Sequence, residues 1–395
     1  MLVVSPRAPL PVRGGADLRI LQHLAVLRRS GWEPHLLAVD PTMDRSAGNE
    51  RHAVVHVCSD PAVVAVQGPD DPDRLAWVAD ATNPFAGVAT ATVVRELHEA
   101  LERIDPELVV VTGHEVSALL DHARHRDRPL VLDLHNVLSE VMRGGEELSV
   151  GHRARELLHR RAIAAAEAVD ASLMAAPDQL WCCGEVDAGE FRSRFPGCDV
   201  VAIPNGVDVP SYGPADPAPA PRVVFTASFR YLPNCLAAHE LLDALEQLPD
   251  VELDLVGTDV PDDLRARIDA TPRAHATGAV ADVRPHLRRA WVAAMPLRAG
   301  SGTRLKVAEA AASGVPIVAT AKAVEGIPLE PGVHYHRAEA REEVVAAIRG
   351  LIDDRDERAR LGAAALELAH EHLSWDAAER LTTAGLQRLA AAGAP

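Results

Sequence analysis

Short apolar runs alternate with longer helix-periodic stretches along almost the whole chain, and that alternation restricts the fold more than any other feature. Met1–Val4, Pro34–Val39, Leu108–Thr112, Leu130–Asp133 and Val200–Ile203 read as buried strands. Between them, Leu18, Leu21, Leu24, Ala25 and Arg28 keep helical spacing up to Gly31. His152–Val169 reads as a second long helix with Leu157, Leu158 and Ala165 among its inward positions. Strands joined through helices return parallel to one another, so the order predicts parallel sheets covered on both faces.

The pattern breaks once. Val209–Pro221 (VPSYGPADPAPAP) carries five prolines in thirteen residues. Proline fixes φ and brings no amide hydrogen, so neither strand nor helix is expected there. Beyond it the alternation resumes with Arg222–Ala227, Val251–Val256 and Trp291–Met295. A chain of 395 residues has room for two cores. The expected fold class is therefore α/β, with two Rossmann-like doubly wound domains facing one another across a cleft. Residues 1–208 form the first domain, 209–221 a proline-rich linker and 222–373 the second. A closing helix in 374–395 (Trp375–Leu389) is long enough to reach back to the first. Such sheets bind ligands at the carboxyl ends of their strands.

Composition excludes several classes. A net charge of −17 argues against a cationic surface for nucleic acid or anionic lipid. There is no apolar run of about eighteen residues to span a membrane, and MLVVSPRAPLPVRGG lacks the basic-then-apolar order of a signal peptide. A cytoplasmic protein is expected; peripheral membrane contact through a small patch, and the oligomeric state, stay open. The five cysteines are odd in number and irregularly spaced, without a C-x-x-C pair, so neither a disulfide frame nor a zinc site is expected. The adjacent Cys182 and Cys183 read as small buried residues.

The most informative stretch is WVAAMPLRAGSGTRLKVAEAAASGVPIVAT, Trp291–Thr320. A strand ends near Leu297, and a turn follows in which Gly300 and Gly302 allow positive φ and close approach of a ligand. A helix begins near Thr303. Its first amides lack intrahelical partners and suit a pyrophosphate, with Arg304 and Lys306 adding charge. Glu309, six residues on, lies about 9 Å along the axis at roughly 1.5 Å per residue, the span from a pyrophosphate to a ribose whose vicinal hydroxyls a carboxylate can accept. A G-x-x-x-x-G-K-[ST] loop is absent, and a G-x-G-x-x-G pattern fails at Leu305. The residues by themselves leave a second reading open, a plain strand-to-helix turn capped by Thr303 with Lys306 paired to Glu309.

PLRAGSGTRLKVAEAAASGVPIVAT followed by AVEGI closely resembles the nucleotide-binding segment of glycosyltransferase family 4, retaining enzymes of the two-domain GT-B fold. PLPVRGGADLRILQHLAVLRRSGWEPHLLA, DLHNVLSE, IPNGVDV, FTASFRYLPN and LSWDAAERLTTAGLQRL resemble further family segments in the same order. The resemblance implies that Glu309 holds the donor ribose, that Gly302, Thr303 and neighbouring amides face the pyrophosphate, and that Ser301 belongs to the donor site. It implies that Gly14 and Gly15 close over the donor and that His135 lies near the transferred sugar, so His135 and Glu309 are the expected catalytic residues. Ser301 stands where the family carries a first signature glutamate. Arg230 is near the family's arginine, the family's lysine has no evident counterpart, and Arg304 or Lys306 can supply the missing charge.

The resemblance thus implies a hexosyl transfer from a nucleoside-diphosphate sugar, UDP- or GDP-linked, to a small-molecule or glycan acceptor. No other cofactor, no metal and no nucleic acid is expected; the acidic Asp70-Asp71-Pro-Asp73 reads as a solvated loop. Two alternatives stay beside it. One is a sugar-nucleotide 2-epimerase of the same architecture, and the other is an inactive partner subunit, which Ser301 keeps open. His114–Glu115 reads as an ordinary helix start and His334–Arg337 as surface.

Overall fold

The computed structural model describes residues 1–10, 15–40, 53–60, 62–63, 85–144, 153–174, 176–213, 215–300 and 304–392. The chain divides into two compact units, Met1–Asn205 with Ala378–Pro395, and Gly206–Ala377.

In the first unit β1 (Leu2–Ser5), β2 (His35–Val39), β3 (Val54–Cys58), β4 (Val109–Thr112), β5 (Leu130–Leu134), β6 (Gln179–Cys182) and β7 (Val200–Ala202) pair in the order β3-β2-β1-β4-β5-β6-β7. Every pairing is parallel. The period of two in a strand sorts the side chains into two cores. Leu2, Val4, Val109, Val111, Leu130 and Leu132 pack on one face. Met1, Val3, Val110, Val131 and Trp181 pack on the other, with Ile20, Leu24 and Leu27 of the Gly15–Arg29 helix.

That alternation turns Asp133 of β5 toward the same side as the Gly15–Arg29 helix, where a lone carboxylate would be very costly. Arg19 meets it. The Arg19 Nη2 lies 2.5 Å from Asp133 Oδ1, and both side chains are fully buried. Thr112 Oγ1 donates to Asp133 Oδ2 at 2.7 Å. Arg19 Nη1 donates to the carbonyl of Ile203 at 2.8 Å and to Asn205 Oδ1 at 2.9 Å, while Gln22 Nε2 donates to the carbonyl of Pro204 at 3.0 Å. The Ile203–Asn205 segment after β7 is thereby tied to the first helix.

In the second unit β8 (Arg222–Thr226), β9 (Glu252–Val256), β10 (Ala274–Ala276), β11 (Val292–Met295), β12 (Ile317–Ala319) and β13 (His336–Arg337) pair in the order β10-β9-β8-β11-β12-β13, again all parallel. Counted from β8, this is the same 3-2-1-4-5-6 order as in the first sheet, with its reversal between β8 and β11.

Several sequence expectations change. The long helix runs Arg153–Leu173, and Leu157 points out of the core at 61% exposure. Val209–Pro221 is not a free linker, because the chain passes between the units at Asn205–Gly206 and Ala377–Ala378. Val209–Ser211 forms a 3-10 turn, and the strap beyond it is bonded to the second unit. The amides of Asp216 and Ala218 donate to the carbonyls of Arg288 and Arg289 at 2.8 and 2.9 Å, and Trp291 Nε1 donates to the carbonyl of Ala218 at 2.7 Å. Prolines flank these positions, so the remaining amides are the ones that anchor the strap. The final helix is Trp375–Ala392, and its residues from Ala378 group with the first unit, where Gln179 Nε2 donates to the carbonyl of Gly385 at 2.9 Å. His336 and Arg337 are exposed, as expected, while Tyr335 beside them is buried.

Removing one partner of the buried ion pair leaves an uncompensated charge, so Arg19→Met is expected to cost roughly 3–5 kcal/mol in urea denaturation. The double change Arg19→Met with Asp133→Leu is expected to recover most of that loss.

Candidate functional site

In the first unit Gly15 lies on the chain between β1 and β2, and His135 follows β5. After β1, Arg7 Nε donates to Asp17 Oδ1 at 2.6 Å, and Gly15 opens the first helix. After β4 comes a 3-10 turn, His114–Leu119, in place of an α-helix start. His114 Nε2 lies 3.9 Å from Asp170 Oδ1. Asp170 also accepts from the amides of Leu138 and Ser139 at 3.2 and 3.0 Å, which fixes the helix that follows β5. His135 directly follows β5, and its buried Nε2 has no hydrogen-bond partner among the described residues. Burial lowers its pKa to about 4, against the pull of Asp133 and with the help of Arg19, so the imidazole is neutral at pH 7. Gly14 lies outside the described residues, as do Asp70, Asp71 and Asp73.

In the second unit Gly300, Arg304, Lys306 and Glu309 follow β11, beside the strand-order reversal between β8 and β11. Gly300 ends the turn after β11 with φ +111°, and a Cβ there would stand 2.7 Å from the Tyr231 hydroxyl, so only glycine fits. The helix begins at Leu305, two residues later than its sequence pattern predicts, with Arg304 extended at its cap position. Arg304 is buried and its Nη2 donates to the Gly300 carbonyl at 2.6 Å, which braces the turn. Lys306 Nζ donates to Asn234 Oδ1 at 2.7 Å and sits 4.5 Å from the centroid of the Phe225 ring. Burial, then the nearby Arg304, lowers its pKa to about 7. Glu309 is buried and accepts at Oε1 from the Tyr212 hydroxyl at 3.1 Å. Burial raises its pKa to about 7, against the Tyr212 bond and the Lys306 charge. Glu309 is four residues beyond Leu305, so it lies only about 6 Å along the axis at roughly 1.5 Å per residue. Arg230 is exposed after β8. Ser301, Gly302 and Thr303 lie outside the described residues.

The sequence pattern did not single out Tyr212 or Asn234. Tyr212 sits in a proline-rich run and Asn234 in the first turn of the Leu232–Leu245 helix, and only folding brings them to the charged residues they serve. All five cysteines are free thiols; burial pushes the Cys183 thiol up to about 12, which makes it unreactive. Cys235, His239 and Asp263 offer ligand atoms within 4.8 Å of one another. The His239 ring is already engaged, its Nε2 3.3 Å from Asp263 and its Nδ1 3.1 Å from Arg267.

A carboxyl whose pKa is raised on folding binds its proton more tightly in the folded state. Its contribution therefore favours folding at low pH and is lost as pH rises from its ordinary 4.5 through about 7. Glu309→Gln is accordingly expected to gain stability relative to the native chain across that window and to hold the gain above it, read by urea denaturation from pH 4 to 8.

Residues 220–354 match the family model described as "Glycosyl transferases group 1". No curated protein matches the chain in sequence. Among solved structures, a sucrose-phosphate synthase from Thermosynechococcus elongatus is similar with a TM-score of 0.76 at 16% identity, covering 99% of each chain. HepE from Anabaena in complex with UDP is similar with a TM-score of 0.67 at 18% identity, over 98% of this chain and 99% of that one. A glycosyltransferase from Rickettsia africae gives 0.64 at 11% identity over 98% of both. With two parallel-sheet α/β units in doubly wound order and near-complete coverage of these structures, the chain has the GT-B fold.

Proposed function

We propose that this protein is a retaining glycosyltransferase of the family 4 type, moving a sugar from a nucleoside-diphosphate sugar to an acceptor hydroxyl. The observation that carries the reading is Glu309, a carboxylate buried on the helix behind the Gly300 turn and held at one oxygen by Tyr212. A buried carboxylate is costly, and the vicinal hydroxyls of a ribose would supply the donors it lacks. The group 1 match covers this helix, and the HepE structures, similar in fold, contain UDP or UDP-glucose. A UDP- or GDP-sugar is the donor class this reading favours.

In the transfer, the bond from the anomeric carbon to the phosphate oxygen breaks and negative charge grows on the leaving diphosphate. Oriented donors there lower the barrier. The helix amides from Leu305, the exposed Arg230 and Lys306 are the groups assigned to that charge. Lys306, poised near neutrality, would be held protonated by a bound diphosphate. The acceptor hydroxyl attacks from the face the phosphate leaves, and its proton passes to the leaving phosphate oxygen, so no protein nucleophile and no metal enters the scheme. His135, neutral at pH 7, is assigned to a hydroxyl of the transferred sugar by the family resemblance.

Calorimetry with UDP, GDP, ADP and dTDP tests the assignment. One diphosphate is expected to bind tightly and to weaken tenfold or more, about 1.4 kcal/mol, in Glu309→Ala. No binding of any of the four to the folded protein would overturn the donor site and favour an inactive partner. With the matching sugar donor, an NMR spectrum of the product is expected to show the donor's anomeric configuration. Conversion of the donor to its 2-epimer without transfer would favour the isomerase.

A further inference from the structure

We propose that Tyr212 is a positioning residue of the donor site, and that the proline-rich strap exists to present its hydroxyl to Glu309. The proposal rests on the reading that Glu309 faces the donor ribose. Tyr212 lies outside residues 220–354, the span of the family match. It is carried by a segment whose composition alone suggests a spacer.

Four contacts hold that segment to the second unit. Asp216 and Ala218 donate their amides to the carbonyls of Arg288 and Arg289. Trp291 Nε1 donates to the carbonyl of Ala218, and Arg284 Nη1 to that of Ser211 at 3.3 Å. The chain turns directly after Tyr212 at Gly213, φ +66°, where a Cβ would meet Arg288 Nη1 at 3.3 Å. The phenol ring is buried in the second unit's core, and the hydroxyl ends 3.1 Å from Glu309 Oε1. A spacer needs none of this. A device that fixes one carboxylate oxygen, leaving the other to accept from a ligand, needs all of it.

A bond donated to the ionised carboxylate favours that form. Among the described residues, the charged or titratable groups that act on Glu309 are Tyr212, Lys306 and Asp282. Arg284 and Asp282 act on Tyr212, and Arg304 acts on Lys306. Of these, Tyr212 is the one hydrogen-bonded to Glu309. Removing its hydroxyl should make Glu309 harder to ionise and leave its free oxygen less well aimed.

The test is calorimetric titration from pH 5.5 to 8.5 with whichever of UDP, GDP and ADP binds the native protein, and with its 2′,3′-dideoxy analogue. Native binding is expected to strengthen as Glu309 ionises and to prefer the ribose form. In Tyr212→Phe the pH midpoint is expected to move upward and the ribose preference to fall at least threefold. Replacement of Tyr212 by 3-fluorotyrosine keeps the shape and makes the hydroxyl a stronger donor, so it should move the midpoint downward; it decides the matter if the Phe variant does not melt cooperatively. Adding Tyr212→Phe to Glu309→Gln should change the ribose preference no further. An unchanged midpoint and preference in a folded variant overturns the role of Tyr212 while leaving the donor site standing. Failure of the native protein to bind any of the three, or dTDP, overturns both.

Discussion

Arg19 and Asp133 carry opposite charges in a place where neither could stand alone, and the first unit is organised around their meeting. Burial of both side chains means that neither is solvated, so attraction and hydrogen bonds must offset a desolvation cost of several kcal/mol per ion. The pair links residues 114 positions apart. It sets the rotation of the first helix on the sheet, ties β5 to β4 through Thr112, and holds the segment leaving β7 through Ile203 and Asn205. His135 follows β5 two residues after Asp133, so its position is inherited from the same pair. The sheet has an aliphatic interior that many registers could satisfy. The ion pair accepts few, which is the specificity that buried polar groups confer in some proteins.

The second unit uses a different device. Lys306 and Glu309 lie on the helix beside the strand-order reversal, and among the described residues they form no ion pair with each other. Lys306 and Glu309 are each bonded to a neutral partner, Asn234 and Tyr212, and burial brings both pKa values to about 7. Burying ionisable side chains beside neutral partners costs free energy, and shifts of this kind cluster at functional sites. Arg304 is spent on the turn itself, holding the Gly300 carbonyl. Structure thus separates three residues that stand close together in RLKVAE and gives each a different neighbour.

Strand positions were legible because a period of two is a local property. Leu2–Ser5, His35–Val39, Val109–Thr112 and Leu130–Leu134 fall within a residue or so of the runs read from sequence. The doubly wound order followed from alternation, since parallel strands need a covering helix between them. Leu157 was misread because an apolar residue at helical spacing can serve either face, and only packing selects one. The helix starts at Leu305 and not near Thr303, with Arg304 at the cap position and no side-chain cap bond, an outcome that residue type alone does not signal. Asp133 is itself a local signal of the buried pair. An aspartate inside LVLDL must be satisfied, and an arginine inside an apolar helical stripe is its natural partner.

The sequence by itself determined the fold class, the two-unit plan and the presence of the helix that carries Lys306 and Glu309, because each depends on spacings within a few residues. It did not determine that a proline-rich run belongs to the second unit, nor that Tyr212 within it reaches Glu309. Proline fixes the local backbone but says nothing about which surface the remaining amides will find. The pKa values of His135, Lys306 and Glu309 were equally out of reach, since the removal of water that dominates each of them happens only on folding. Those were decided by tertiary structure alone, where burial turns ordinary side chains into groups that titrate away from their usual range.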